Sequence, residues 1–446
     1  MHTASAVPKS SRYWRLWFVA ALCVLFLAVG VQYCVKAAGS SERANRSAFL
    51  RWRDQLQNPA EEDIYLLYNF PYPPIMAMLL EPLMRLPPLV GSLCWFLMKI
   101  GMTLAALHWF FRIVQSPQQP FPAWAKALTI LLSLRPVLGD LSHGNVNLFI
   151  LFLVVAALFA YHRRSDWSAG LLVGLGIACK VTSALFVPYF LWKRAWRTTA
   201  GCLIGLVLFL VVVPGCRFGF ERNASLLRHW VDSMVTPFVV QGTVTSDHLN
   251  QSLPGVVFRL ITRSPSSHDG QGLAPEYDNF LNLGPAWAGR MIKCCMALFA
   301  ALIVWACRTP ATARYGWRLA AEFSLIVLGM LLFSERTWKH HCVTLILPFA
   351  VLTYYLAICR PGRILRGYLI GSLAASVLFM ASTGTLGLAP LHEVAQKAEV
   401  YGAYVWAYFV LVAALLTILR CPDPSAAASA ALAVAQIRAG QAKSAA

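Results

Sequence analysis

SERTWKHH, residues 334–341, stands between the apolar runs 323–333 and 342–356. Two adjacent histidines, His340 and His341, are flanked by Glu335, Arg336 and Lys339. Such groups are costly beside lipid, so they face an internal cavity or its aqueous mouth, and they mark function more often than structure. The runs on either side are therefore helices that meet water at this point, and the rest of the chain reads outward from it.

The composition agrees. The 446 residues are 58% hydrophobic and only 13% charged, where a soluble domain carries about 25% charged residues. The mean hydropathy is +0.59, and the apolar content is blocked into runs approaching the roughly 20 residues that span a bilayer. The chain reads as an all-α polytopic integral membrane protein. The formal charge of +19 does not point to nucleic acid. The basic residues cluster at helix ends, at Arg12 and Arg15, 162–164, 193–197, 308–318 and 360–366, which is the positive-inside pattern. The 12 cysteines show no metal-ligand spacing. Cys23, Cys179, Cys202 and Cys307 lie inside apolar runs, where cysteine acts as a small hydrophobe. No metal site and no cofactor is expected. The N-terminal basic flank and run 16–31 resemble a signal peptide, but the run is long and is read as a retained first helix.

Residues 1–15 are expected in the cytoplasm, 16–420 form one transmembrane domain, and 421–446 are a cytoplasmic Ala-rich tail. Spans are expected near 17–35, 90–112, 123–139, 145–161, 198–215, 289–307, 318–333, 342–358, 365–387 and 402–419. The stretch 75–86 is too short to span and is placed at the interface. Residues 166–197 are bracketed by basic flanks, HRRSD and WKRAWR, so one helix cannot join them if both are cytoplasmic. Two half-helices, 168–178 and 184–191, dip in and return, with Lys180 at the break. The alternative is one helix with Lys180 snorkelling. The expected total is about 10–12 transmembrane helices including this pair. Loops 37–74 and 216–288 then lie on the outer side with SERTWKHH.

Polar patches converge on that side. Asp54, Glu61, Glu62 and Asp63 lie in the first loop, and Asp140, His143, Asn145 and Asn147 after the third span. Lys180 marks the break; Asp247, His248, Asn250 and Gln251 lie in the second loop. Taken singly, a loop charge is usually only solvated and Asn145 or Asn147 fits a helix cap. Taken together they offer carboxylates for general-base work and cations for an anionic phosphate.

Particular segments carry a resemblance to bacterial glycosyltransferase family 87. FPYPPIMAMLLEPLMRLPP (70–88) resembles its Tyr-Pro-Pro segment, and HGNVNLFILFLVVAALF (143–159) its Gly-Gln-Val-Asn helix start. AGLLVGLGIACKVTSALFVPYFLWKRAWR (169–197) resembles its Ala-Gly-Leu … Lys-x-x-Pro block, NQSLPGVVFRL (250–260) its Asn-Gln-Ser segment, and SERTWKHH its Ser-Pro-x-Ser-Trp-x-His-His signature. The chain departs from the pattern at Asn145, Ser183, Glu335 and Thr337. It also has Ala48 where an early Asp is expected.

The resemblance implies a GT-C-type fold in a bacterial cytoplasmic membrane. It implies an inverting transferase that moves a sugar, with mannose the first expectation, from a polyprenyl-phosphate donor to a lipid or glycan acceptor on the outer face. On that footing Asp63, just before Ile64–Tyr65, is the first choice for the base and Asp54 the second. Lys180, His341, His340 and Arg336 are assigned to the donor phosphate. Asn147, Asn250, Gln251 and Tyr72 are assigned to sugar or acceptor. The partners expected are donor, acceptor and bilayer, and no nucleic acid. The rival readings are a transporter or flippase, which broken helices also fit, and a catalytically inactive family member, prompted by Ala48.

Overall fold

A computed structural model of the chain describes residues 9–39, 47–57, 61–267, 275–385 and 390–421, with residues 9–12 by backbone alone. The expected tail beyond 421 and residues 1–8 lie outside them. Among the described residues the regular structure is helical throughout, with two isolated β-bridges and no strand.

The helices are α1 (Lys9–Gly39), α2 (Ala48–Gln55), α3 (Ile64–Tyr68), α4 (Pro74–Met84), α5 (Pro88–Val114) and α6 (Ala123–His143). They continue with α7 (Asn147–His162), α8 (Asp166–Cys179), α9 (Val181–Trp192), α10 (Trp196–Phe218), α11 (Phe220–Trp230) and α12 (Leu253–Ile261). The last are α13 (Pro285–Ala306), α14 (Trp317–Leu332), α15 (Lys339–Ile358), α16 (Arg363–Ser382), α17 (Pro390–Val400) and α18 (Ala403–Arg420). Seven of them, α1, α5, α10, α13, α15, α16 and α18, are long and apolar enough to cross a membrane by length and composition.

Contacts between chain-distant residues define two ends of the bundle. At one end Gly316 N–H donates to Ile113 O at 2.7 Å, Arg314 pairs with Asp166, and Arg318 donates to Leu419 O. At the other end Trp95 Nε1 donates to Gly144 O at 3.0 Å, Lys180 meets Asn147, and Lys339 Nζ donates to Thr383 O. The first is the basic end and the second the site end. Among the described residues, ten helices run from one end to the other: α1, α5, α6, α7, α10, α13, α14, α15, α16 and α18. The pair α8–α9 enters and leaves at the basic end, where Asp166 pairs with Arg314 and Lys193 pairs with Glu322 at 2.7 Å. Its 14 and 12 residues give each arm only about 20 Å of helix, short of a roughly 30 Å hydrocarbon core. Lys180 is the turning point, in extended conformation (φ −156°, ψ 114°). The expected half-helix pair is present, and the single-helix alternative is not.

Glycines set the depth of that pair. A Cβ on Gly170 would stand 2.2 Å from Thr198 O, and one on Gly201 2.8 Å from Trp167 O. Gly174 and Gly205 meet in the same way one turn on. Small residues four apart on both helices thus bring the α8 and α10 backbones into contact, as in membrane interfaces generally.

Two sequence expectations change. Segment 75–86, placed at the lipid interface, is α4, whose Ile75, Met76, Ala77 and Leu80 are buried in protein contacts. The two long loops are not simply solvated. α2 and α3 fold within the first. α11, a wide turn Val231–Val235 and α12 fold within the second and roof the site end.

Candidate functional site

The site is built where α6 turns into α7 beneath the Lys180 apex. α6 ends at Gly144, whose φ of 68° is the left-handed cap that favours glycine. A Cβ there would also stand 2.6 Å from the Tyr33 hydroxyl. The tight turn places Asp140, on the last turn of α6, beside Asn147, the first residue of α7. Asn147 Nδ2 donates to Asp140 Oδ1 at 2.9 Å, and its Oδ1 accepts from Lys180 Nζ at 2.7 Å. Asp140 also accepts from Leu148 N–H and Lys99 Nζ on Oδ2, both at 3.4 Å, and Lys99 Nζ donates to Asp140 O at 2.7 Å. Lys99 and Asp140 are fully buried.

The histidine pair is set by hydrogen bonds from neighbouring amides. Val146 N–H donates to Asn145 Oδ1 at 2.7 Å, as does the Tyr72 hydroxyl at 3.1 Å. Asn145 Nδ2 therefore faces His340 Nε2, 2.9 Å away. An amide nitrogen only donates, so His340 Nε2 accepts and its proton sits on Nδ1. Trp338 N–H donates to His341 Nδ1 at 3.3 Å, so His341 carries its proton on Nε2. These contacts suit neutral rings of opposite tautomer at the two positions. His340 also stacks on His143 with ring centroids 4.9 Å apart.

A cavity opens between these groups. Asn147, Lys180, Thr182, Ser334, Thr337, His341 and Thr344 form its polar side, and Ile150, Met330 and Leu331 its apolar side. Thr344 is buried, and its hydroxyl has no partner among the described residues. Buried polar groups are normally satisfied. An orphan hydroxyl beside an ammonium and an imidazole N–H suits an anion, and the apolar wall suits one that carries a hydrocarbon chain.

The structure brings together Lys180, His341 and Asn147 at the cavity, with His340 and Tyr72 joined to them through Asn145. Arg336 is exposed at the rim, donating to Thr245 Oγ1 at 2.7 Å. Asn250 and Gln251 take a different place from the one expected. Asn250 donates to Thr245 O and Glu335 O and accepts from Ser252 N–H and Thr337 N–H. Gln251 donates to His248 O and Glu399 O and accepts from Tyr404 N–H. Both are fully buried, and their amides are spent pinning the roof to the 334–338 turn and to the start of α18.

Asp63 is the N-cap of α3. Its Oδ1 accepts from Tyr65 N–H and Leu66 N–H, and its Oδ2 meets His229 Nδ1 at 2.5 Å. Burial works to raise this carboxyl, but the His229 and backbone hydrogen bonds outweigh it and hold it below the ordinary carboxylate range. Asp54 is exposed on α2. Arg51, one turn before it, lies near enough to act electrostatically on Tyr72 and His340. Sequence reasoning passed over Lys99, Arg51, Thr344 and His229. Only Lys99 had a signal of its own, as a cation inside the apolar run 88–114. Groups of three or more metal-ligating side chains are absent among the described residues.

The sequence model of glycosyltransferase family 87 matches residues 70–334. A polyprenol-phosphate-mannose-dependent alpha-(1-2)-phosphatidylinositol mannoside mannosyltransferase of Mycolicibacterium smegmatis is 28% identical over 302 residues, covering 65% of this chain and 60% of that protein. A Mycobacterium tuberculosis protein of the same description is 25% identical over 328 residues, covering 70% and 66%. A polyprenol-phosphate-mannose-dependent alpha-(1-2)-phosphatidylinositol pentamannoside mannosyltransferase of Mycolicibacterium smegmatis is 26% identical over 370 residues, covering 80% and 81%. The chain thus spans under two thirds of the length of the first two relatives.

Proposed function

The chain belongs to glycosyltransferase family 87, and we propose that it is a membrane mannosyltransferase that uses polyprenyl-phosphate mannose and a lipid or glycan acceptor. The names of its relatives support the donor and a lipid-linked acceptor. The observation that carries the reading is the Lys180 cavity, lined by Lys180, His341 and Thr344, whose hydroxyl is unpartnered among the described residues, and by the apolar Ile150, Met330 and Leu331. In this reading the donor phosphate sits against Lys180, His341 Nε2–H and Thr344. The acceptor oxygen bonds to the anomeric carbon from the face opposite the phosphate, the carbon–oxygen bond to phosphate breaks, and the configuration inverts. Polyprenyl phosphate leaves with the bonding electrons, and the cation and donors stabilise its charge. Tyr72 and Asn145 hold His340 as a donor toward the sugar.

The acceptor proton needs a carboxylate. Asp63 has both oxygens engaged and a depressed pKa, which makes it a weak base. Asp54, exposed on α2 in the first outer loop, is our assignment. The clustering of basic residues at the opposite end supports a cytoplasmic basic end and a site that opens outside the cytoplasmic membrane.

The test is transfer. Purified protein in detergent, given radiolabelled polyprenyl-phosphate mannose and phosphatidylinositol mannosides, is expected to form a labelled product. Asp54→Asn is expected to lower turnover about 10²–10⁴-fold with donor binding intact. A second reading is favoured by Ala48, buried at the start of α2 where an aspartate is expected. It is a family member that binds the donor and transfers nothing. Donor binding without product from any acceptor would select that reading; no binding at all would remove both.

A further inference from the structure

The buried charges around the cavity do not cancel, and Lys99 is the reason. From α5, with its side chain wholly buried and outside the cavity lining, Lys99 contacts Asp140 at 2.7 Å on the carbonyl and 3.4 Å on the carboxylate. Asp140 in turn holds the Asn147 amide, and Asn147 Oδ1 holds Lys180 Nζ. The unit is a chain of two ammonium groups and one carboxylate. Without Lys99, the Asp140 charge would fall to Lys180. The carboxylate lies one amide group and two hydrogen bonds away, roughly 7 Å, close enough to act through a protein interior. With Lys99 present, Asp140 is already balanced. It serves only to orient Asn147, and the positive charge of Lys180 is left for a ligand. Of the other cations nearby, Arg51 and Arg336 are exposed, so solvent screens them more strongly; Lys339 is paired with Glu399, and the half-buried Arg135 donates to Thr383 Oγ1, away from Asp140.

We propose that Lys99, although it touches no ligand, sets the anion selectivity of the cavity by neutralising Asp140. This rests on the reading of the cavity as a lipid-phosphate site and adds a positioning residue to it. A packing role and a charge-balance role predict opposite results in one double-mutant series, because a second substitution can restore the balance without restoring the contacts.

The experiment measures polyprenyl phosphate binding to detergent-purified, monodisperse protein. Lys99→Met is expected to weaken binding on the order of tenfold or more, because a net-neutral site remains with Lys180 unchanged. Asp140→Asn removes the negative charge and is expected to bind no more weakly than wild type. The double variant Lys99→Met/Asp140→Asn restores one net positive charge and is expected to recover most of the lost affinity. Unchanged affinity in Lys99→Met, or a double variant as weak as Lys99→Met alone, overturns the proposal. If Lys99→Met does not fold, the Asp140→Asn arm decides: weaker binding there refutes charge balance. Failure of wild-type protein to bind polyprenyl phosphate would instead reject the lipid-phosphate reading, so the two failures are distinct.

Discussion

Replacing Lys180 separates what the residue does for the fold from what it does for a ligand. Its Nζ donates to Asn147 Oδ1 at 2.7 Å at the apex of the α8–α9 pair. Lys180→Met keeps the reach of the side chain and removes the donor, leaving that buried carbonyl unpaired at a cost of about 1–3 kcal/mol. Lys180→Gln keeps a donor for Asn147 and loses only the charge, so most of that stability is expected to return. Ligand binding should not follow the same course. A hydrogen bond to a charged partner is worth about 1.5–3 kcal/mol, which is roughly 10- to 150-fold in affinity. Both variants are therefore expected to bind polyprenyl phosphate at least tenfold more weakly, with Lys180→Gln close to wild type in thermal unfolding. Binding is read by titration of a fluorescent polyprenyl phosphate in detergent and stability by thermal unfolding of the same samples. A Lys180→Gln protein with wild-type stability and wild-type affinity would refute the assignment of this ammonium to the phosphate.

Asp63→Asn is expected to keep the α3 cap, since Asn caps as well as Asp, and to lose the His229 pairing at a cost of about 1 kcal/mol. Folding lowers the Asp63 pKa, so this contribution is fully present above the unfolded carboxylate value of about 3.9 and fades as pH falls through the folded value. The gap between wild type and variant in thermal unfolding should hold from neutral pH to about 5 and close below 4; a gap that widens in acid contradicts the pairing. Asn250→Ala strips partners from four backbone groups and is expected to cost about 3 kcal/mol or more, seen as a lower unfolding temperature and faster proteolysis of the 245–267 segment. Single cysteines at exposed Arg263 and Thr312, at opposite ends of the bundle, test sidedness in a background cleared of accessible cysteines. An impermeant reagent on intact cells is expected to label position 263 and spare 312, and the reverse pattern places the site in the cytoplasm.

The α8–α9 pair shows how much of the site could be read in one dimension. Its two basic flanks, its arms too short to span and its lysine between them are all local properties, and together they locate both the break and the cation. The histidines at 340 and 341 were legible for the same reason, since ionisable groups beside apolar runs carry a solvation cost that composition alone exposes. Asn250 and Gln251 were legible as important and not as to role. Beside close neighbours in the chain, their partners include Glu335, Thr337, Glu399 and Tyr404, which lie 85 to 153 residues away in sequence. A buried amide facing main-chain carbonyls and one facing a sugar have the same sequence.

Legible from the residues alone were the helical membrane class, the break at Lys180 and the end at which the polar groups gather. These follow from hydropathy, helix length and flanking charge, each of which acts over a single segment. Which of those polar groups remain available is set by the packing of the folded chain. It spends Asp63 on a helix cap and on His229, Asn250 and Gln251 on the roof, and Asp140 on Lys99 and Asn147. The physical reason is saturation: a donor or acceptor buried away from water must find a partner, and that partner arrives from whichever segment the packing of the helices brings alongside.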